Sequence, residues 1–194
     1  MPISAIIIAG GLATRMSGVD KGLMPLQNKP LVQHVIKQLA LQVDEILINA
    51  NREIVQYTTY GYPVLQDEST DYIGPLAGMS LGLKYAQYDY VLAVPCDSPV
   101  LPLDLAQRLM AELLAQNADI AIACSDGNVH PVFCLCKKSV LPSLTAYIAR
   151  GERRVSAWQK SQRYIEVDFS DCINAFVNLN TLEDIAALEL ILNH

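Results

Sequence analysis

"IIIAGGLATRMSGVDKGLMPLQNKP" occupies residues 6–30, and its reading decides the fold. The apolar, β-branched run over residues 4–9 is continuous rather than alternating, the pattern of a strand covered on both faces. It stops at Gly10 and Gly11, and two cations, Arg15 and Lys21, follow before helical periodicity begins. Neither familiar phosphate cradle is present. G-x-G-x-x-G fails because the two glycines are adjacent, and G-x-x-x-x-G-K-[ST] fails because Lys21 lies between Asp20 and Gly22. The physical ingredients of a phosphate site remain: glycines let backbone N–H groups approach an anion, and Arg15 and Lys21 supply charge. A plain surface connection is the alternative, but it needs neither the glycines nor the cations.

Outward from this stretch, strands and helices alternate. "KPLVQHVIKQLALQ" has helical periodicity, "EILINAN" is a second strand and "YPVLQD" a short third. "GPLAGMSLGLKYAQ" reads as a helix with Pro75 in its first turn, "YVLAVPCDSP" as a strand ended by prolines, and "PLDLAQRLMAELLAQN" as an amphipathic helix before the strand "DIAIAC". After Gly127 the rhythm changes to a strand, "HPVFCLCK", two helices, "SVLPSLTAYIAR" and "RRVSAWQKS", and a short strand, "YIEVDF". A last helix, "TLEDIAALELILN", is capped by Asn180 or Thr181. The expectation is one α/β domain over residues 1–194: a mostly parallel sheet between helical layers, Rossmann-like, with an elaborated C-terminal part.

Composition agrees. The 194 residues are 52% hydrophobic and 18% charged, enough to bury a sizeable core. The net charge of −6, with no long basic tract, argues against nucleic-acid or anionic-membrane partners. No apolar run reaches the roughly 18 residues of a membrane span. The N-terminus shows no export signal, so a cytoplasmic placement is expected. Five cysteines in such a chain imply no disulfide framework, and Cys134 and Cys136 read as buried packing on one face of a strand.

In open α/β sheets, ligands bind beyond the carboxyl ends of the strands. The residues delivered there are Gly10 and Gly11, Asn49 and Asn51, Asp67 and Asp97. Asp97, held between prolines in "VPCDSP", suits Mg²⁺, which prefers oxygen ligands and substrate phosphates. Capping a turn is the alternative for Asp97. Asp67 is a turn residue or a partner for base or ribose, and Asn49 satisfies backbone groups or reads a base edge. "GPLAG" at 74–78 is a tight turn or a helix start with free N–H groups. No Ser-His-Asp or Cys-His arrangement stands out, and Cys96 is read as packing.

These residues carry a resemblance. "IIIAGGLATRMSGVDKGLMPLQNKPL" resembles the signature of nucleotidyltransferases, and its Arg-Met and Gly-Val-Asp-Lys form is similar to the molybdenum cofactor guanylyltransferases. "NAN" at 49–51, "DYIGPLAG" at 71–78, "PCDSP" at 95–99, "GERRV" at 151–155 and "FVNLNTLEDI" at 176–185 extend the likeness along the chain. Ile8 and Ser17 depart from the usual leucine and glycine. Ala9-Gly10-Gly11, where cytidylyl-transferring relatives carry Ala-Ala-Gly, favours guanine.

The resemblance implies a nucleotide site of Ile8, Ala9, Gly10, Lys21, Asn49, Asp67 and Asp97, with Asp97 also holding Mg²⁺. It implies catalytic roles for Lys21, Arg15 and Asp97, with Arg15 on the triphosphate, and an acceptor side of Gly78, Arg153, Asn178 and Asn180. Residues 1–127 would then be the nucleotide half and 128–194 the acceptor half. The implied substrates are GTP and molybdenum-molybdopterin. The implied partners are other molybdenum cofactor biosynthesis proteins and molybdoenzyme-specific chaperones. Cytidylyl transfer to the cofactor, transfer to a sugar phosphate, and a non-catalytic nucleotide-binding module are the alternatives.

Overall fold

The computed structural model describes residues 1–10, 20–68, 73–172 and 174–192. Its centre is a seven-stranded sheet. The central strand, β1 (Ile3–Ile8), pairs in parallel with β4 (Glu45–Asn49) on one side and β6 (Tyr90–Pro95) on the other. β5 (Val64–Leu65) adds to β4 at one edge. Beyond β6 lie β8 (Asn128–Lys137), β7 (Ile120–Ser125) and β9 (Tyr164–Asp168). β8 is antiparallel to both neighbours, and every other pairing in the sheet is parallel. The reversal is made at Asp126 and Gly127, which both have positive φ (49° and 76°), as a two-residue type I′ hairpin requires.

The unbroken apolar reading of β1 is explained by its two faces. Ile3, Ala5 and Ile7 pack into one core and Ile6 into the other. The first core is covered by α1 (Leu31–Leu39) and α4 (Leu105–Ala115), the second by α3 (Pro75–Tyr85), α5 (Leu141–Ala149) and α6 (Val155–Lys160). Cys134 and Cys136 lie buried together in the second core, Sγ to Sγ 3.8 Å, with neither in a disulfide. α4 ends in a Schellman motif: Asn117 is left-handed, Ala118 N donates to Leu113 O and Asn117 N to Leu114 O.

Three short elements have no sequence expectation behind them. β2 (Pro25–Leu26) and β3 (Lys29–Pro30) form a hairpin through Gln27 and Asn28, both at positive φ, and α2 (Ile54–Thr58) follows a left-handed Glu53. α7 (Leu182–Leu192) packs Ile185 and Leu188 against Met24, Leu26 and Leu31 in a third, smaller cluster. Its start is a capping box: Asp184 N donates to Thr181 Oγ1, while the Asp184 carboxylate accepts from the backbone of Asn180 and Thr181.

Candidate active site

From β1 the chain winds outward through β4 to β5, then returns past β1 to β6. The reversal of winding makes the carboxyl ends of β1 and β6 the topological switch point, where open α/β sheets bind ligands. Both strands deliver chemistry there. β6 ends at Pro95 and is followed by the buried Cys96 and then Asp97.

Lys21 and Asp97 meet at that point. Lys21 Nζ lies 3.5 Å from Asp97 Oδ2 and donates to Asn180 Oδ1 at 2.6 Å. An ammonium has three N–H donors, so one is left without an acceptor among these residues. Burial raises the Asp97 carboxyl above its ordinary value, and the Lys21 charge opposes that rise. The strap over residues 176–180 closes this side: Leu179 N donates to Asp97 O at 2.9 Å, and Ser98 Oγ donates to Asn178 Oδ1 at 2.5 Å. Asn178 and Asn180 are exposed on the strap, while Leu179 is tucked into the cluster beneath α7.

Across the mouth of β1 lies a second polar group. Asn49 is 1% exposed, and its Nδ2 donates to Asp67 Oδ1 at 2.8 Å and to Leu65 O at 3.3 Å. Asn51 Nδ2 donates to Asp67 Oδ2 and to Gly10 O, and its Oδ1 accepts from Asp67 N. A Cβ at Gly10 would stand 2.8 Å from Asn49 Oδ1, and one at Gly78 would stand 2.6 Å from the same atom and 3.0 Å from Ile8. Glycine is therefore required at both positions to make room for one amide. Ala9 N donates to Asn49 O, joining the strand ends beneath it.

The sequence reading gave no role to the support of Lys21. Asp20 Oδ1 accepts from Gly22 N at 3.0 Å and from the Tyr57 hydroxyl at 2.6 Å, and Tyr57 is fully buried. Burial raises the Tyr57 hydroxyl far above its ordinary range, so it is a permanent donor, and burial also raises the Asp20 carboxyl. Burial likewise holds the Cys96 thiol protonated, which agrees with packing rather than nucleophilic chemistry.

The expected residues are thus distributed over two adjoining groups: Ile8, Ala9, Gly10, Asn49, Asp67 and Gly78 in one, and Lys21, Asp97, Asn178 and Asn180 in the other. Gly78 sits in the first, against Asn49, rather than beside the two asparagines of the strap. Arg15 lies outside the described residues. Arg153 is exposed and donates to the carbonyls of Ile148 and Glu152, and none of its hydrogen bonds reaches Asp97, Asn178 or Asn180. Among the described residues no three His, Cys, Asp or Glu side chains gather as a metal cage. A lone, largely buried Asp97 carboxylate with amide oxygens nearby fits a hard divalent cation that takes its other ligands from phosphate and water.

At the switch point a lysine–carboxylate pair thus stands beside a buried amide cluster fitted between two glycines. Residues 5–164 match the family model described as a MobA-like NTP transferase domain. Over 182 residues the chain is 48% identical to a molybdenum cofactor guanylyltransferase of Shewanella frigidimarina, covering 93% of this chain and 92% of that protein. It is 46% identical over 181 residues to one of Shewanella loihica, covering 93% and 92%. The crystal structure of molybdopterin-guanine dinucleotide biosynthesis protein A from Archaeoglobus fulgidus shares the fold, with a TM-score of 0.82 over 98% of both chains at 18% identity. The chain belongs to the MobA-like NTP transferase family, within the molybdenum cofactor guanylyltransferases.

Proposed function

We propose that the chain transfers GMP from GTP to the terminal phosphate of molybdenum-molybdopterin, forming the guanine dinucleotide cofactor and releasing pyrophosphate. The observation that carries the reading is Lys21 Nζ standing between Asp97 and Asn180, side chains from three segments converging at the switch point. The acceptor phosphate oxygen attacks the α-phosphorus, the bond to the bridging oxygen breaks, and pyrophosphate takes the electron pair. The attacking oxygen is already ionised, so no general base is needed, and none is evident among the described residues. Positioning and charge stabilisation carry the catalysis.

Lys21 turns its free N–H toward the α-phosphate and stabilises the charge that develops there. Backbone N–H groups at Gly10 and Gly11, with Arg15, hold the β- and γ-phosphates. On this reading Asn49, Asp67 and Gly10 form the base side of the site, with Asn49 and Asp67 held there by their hydrogen bond to each other. Mg²⁺, held by Asp97, supplies Lewis-acid stabilisation when bound. Asn178 and Asn180, brought by the strap from the second half of the chain to the far side of Lys21, face the acceptor, and Arg153 extends that side.

On this reading residues 1–127 bind the nucleotide and 128–194 the acceptor, within one shared sheet. Acceptor and product are exchanged in the cytoplasm with other cofactor biosynthesis proteins and molybdoenzyme chaperones. No helix among the described residues is long and apolar enough to cross a membrane.

The test is pyrophosphate release with each of the four NTPs, Mg²⁺ and molybdenum-loaded molybdopterin. GTP-dependent release supports the reading. Release with CTP alone overturns the base choice, and GTP binding without any release marks a binding module.

A further inference from the structure

We infer that Tyr57 is a positioning residue for the transfer reaction, fixing through Asp20 the turn that presents Lys21 to Asp97. The inference rests on the role proposed above for Lys21. Adjacent side chains of that turn point to opposite sides: Asp20 goes inward to Tyr57, and Lys21 goes outward to Asp97 and Asn180. Between them, Gly22 is buried, and a Cβ there would stand 2.5 Å from the Tyr57 hydroxyl oxygen and 3.2 Å from Cys96. Glycine thus lets the turn rest directly on Tyr57 and on the residue that precedes Asp97. The base of Lys21 and the base of Asp97 are therefore set by one contact region.

Phenylalanine would keep the ring and remove only the oxygen that meets Asp20 and Gly22. The Tyr57 ring lies in the main core with Ala9, Val32 and Ala50, and phenylalanine would bury the same carbons. The oxygen is kept for Asp20, at the cost of desolvating a carboxylate. Buried polar pairs of this kind specify geometry more than they add stability. Loss of the hydroxyl leaves the Asp20 carboxylate, among the described residues, with Gly22 N as its one hydrogen-bond donor, and the turn is freed to shift. A lysine displaced by even about 1 Å loses much of its effect on the reacting phosphate.

The experiment uses the full chain and pyrophosphate release at saturating GTP and acceptor, on Tyr57→Phe, Lys21→Ala and the double variant. Tyr57→Phe is expected to lower kcat roughly tenfold, the scale of a lost hydrogen bond to a charged group, with the KM for GTP within about twofold. In the Lys21→Ala background the same change is expected to have almost no further effect, because residues acting as a unit are not additive. Asp20→Asn, which keeps an oxygen acceptor for both donors, is expected to retain most of the turnover that Asp20→Ala loses. Equal loss in both backgrounds would mean a general structural role and overturns the inference, as does unchanged kcat in Tyr57→Phe. Wild-type turnover in Lys21→Ala overturns the Lys21 reading and this inference with it. An impaired Lys21→Ala beside an unimpaired Tyr57→Phe overturns this inference alone.

Discussion

Lys21 and Asp97 are 76 positions apart in sequence, yet their charged groups lie 3.5 Å apart at the mouth of the sheet. The lysine side chain is 29% exposed and the aspartate 15%, so the pair is partly desolvated and open to a ligand on one side. Lys21→Ala is expected to lower turnover by about 10²–10³, the scale for loss of one preorganised charge stabiliser. The thermal midpoint should move only a few degrees. Steady-state kinetics and a melting curve on the same preparation check this, and wild-type turnover would remove Lys21 from the chemistry.

Asp97→Asn keeps the shape and the backbone contact with Leu179 but removes the anionic oxygen. A neutral amide is a much poorer ligand for a hard divalent cation. The expected result is a metal titration displaced to higher Mg²⁺, with activity partly recovered at saturation. An unchanged titration removes Asp97 from the metal site.

Two glycines of α3 separate binding from stability. A Cβ at Gly78 meets Asn49 Oδ1 at 2.6 Å, whereas a Cβ at Gly82 meets Ile6 Cγ2 at 2.6 Å and Ile6 Cβ at 2.8 Å, in the core. Gly78→Ala is expected to displace the amide and raise the KM for GTP tenfold or more, as one misplaced polar contact does. Gly82→Ala is expected to destabilise by roughly 1–3 kcal/mol through overpacking, with the KM unchanged. GTP titration and thermal melts of both variants distinguish the two.

Much of this was legible because strands buried on two faces leave a strong apolar signal, and residues 4–9 and 45–49 show it plainly. The strand ends then point to Gly10, Asn49, Asp67 and Asp97 without any knowledge of strand order. The direction of β8 turned on two residues, Asp126 and Gly127, whose Asp-Gly pair is a hairpin signal that the change of rhythm obscured. α2 is five residues long and starts from a left-handed Glu53, so no periodicity could announce it. The partnership of Tyr57 with Asp20 crosses 37 positions and depends on how α2 sits beneath the turn, which no local pattern encodes.

The far edge of the sheet offers a pH test independent of the site. Arg163 holds the Asp119 carboxyl below its ordinary value of 3.8 through two hydrogen bonds of 2.8 Å, helped by Lys137 at 3.4 Å. A depressed carboxyl pKa contributes stability above the unfolded value and loses it as pH falls through the folded one. Arg163 is 65% exposed, so the contribution is modest. Arg163→Ala is expected to destabilise slightly at pH 7, with the difference closing below the ordinary carboxyl range. Urea titrations at the two pH values check the sign, and a difference that grows on acidification contradicts it.

Leu179 ties the strap to the body of the protein from below while its backbone ties it to Asp97 from above. The side chain is 1% exposed among Met24, Leu26, Leu31, Ile185 and Leu188, a cluster separate from the two main cores. Truncation of a buried leucine costs roughly 2–5 kcal/mol where the whole fold depends on it. Here the loss falls on a rim cluster, so it is expected to appear as local opening rather than global unfolding. Leu179→Ala should therefore lose amide protection at Leu179 and over the start of α7 well before the central strands do. It should also lower turnover by releasing Asn180 from Lys21, while the KM for GTP stays near wild type because Asn49 and Asp67 lie on the other side of β1. Hydrogen exchange with kinetics on the same variant checks both halves, and uniform loss of protection across the sheet would mean that the strap is part of the global core.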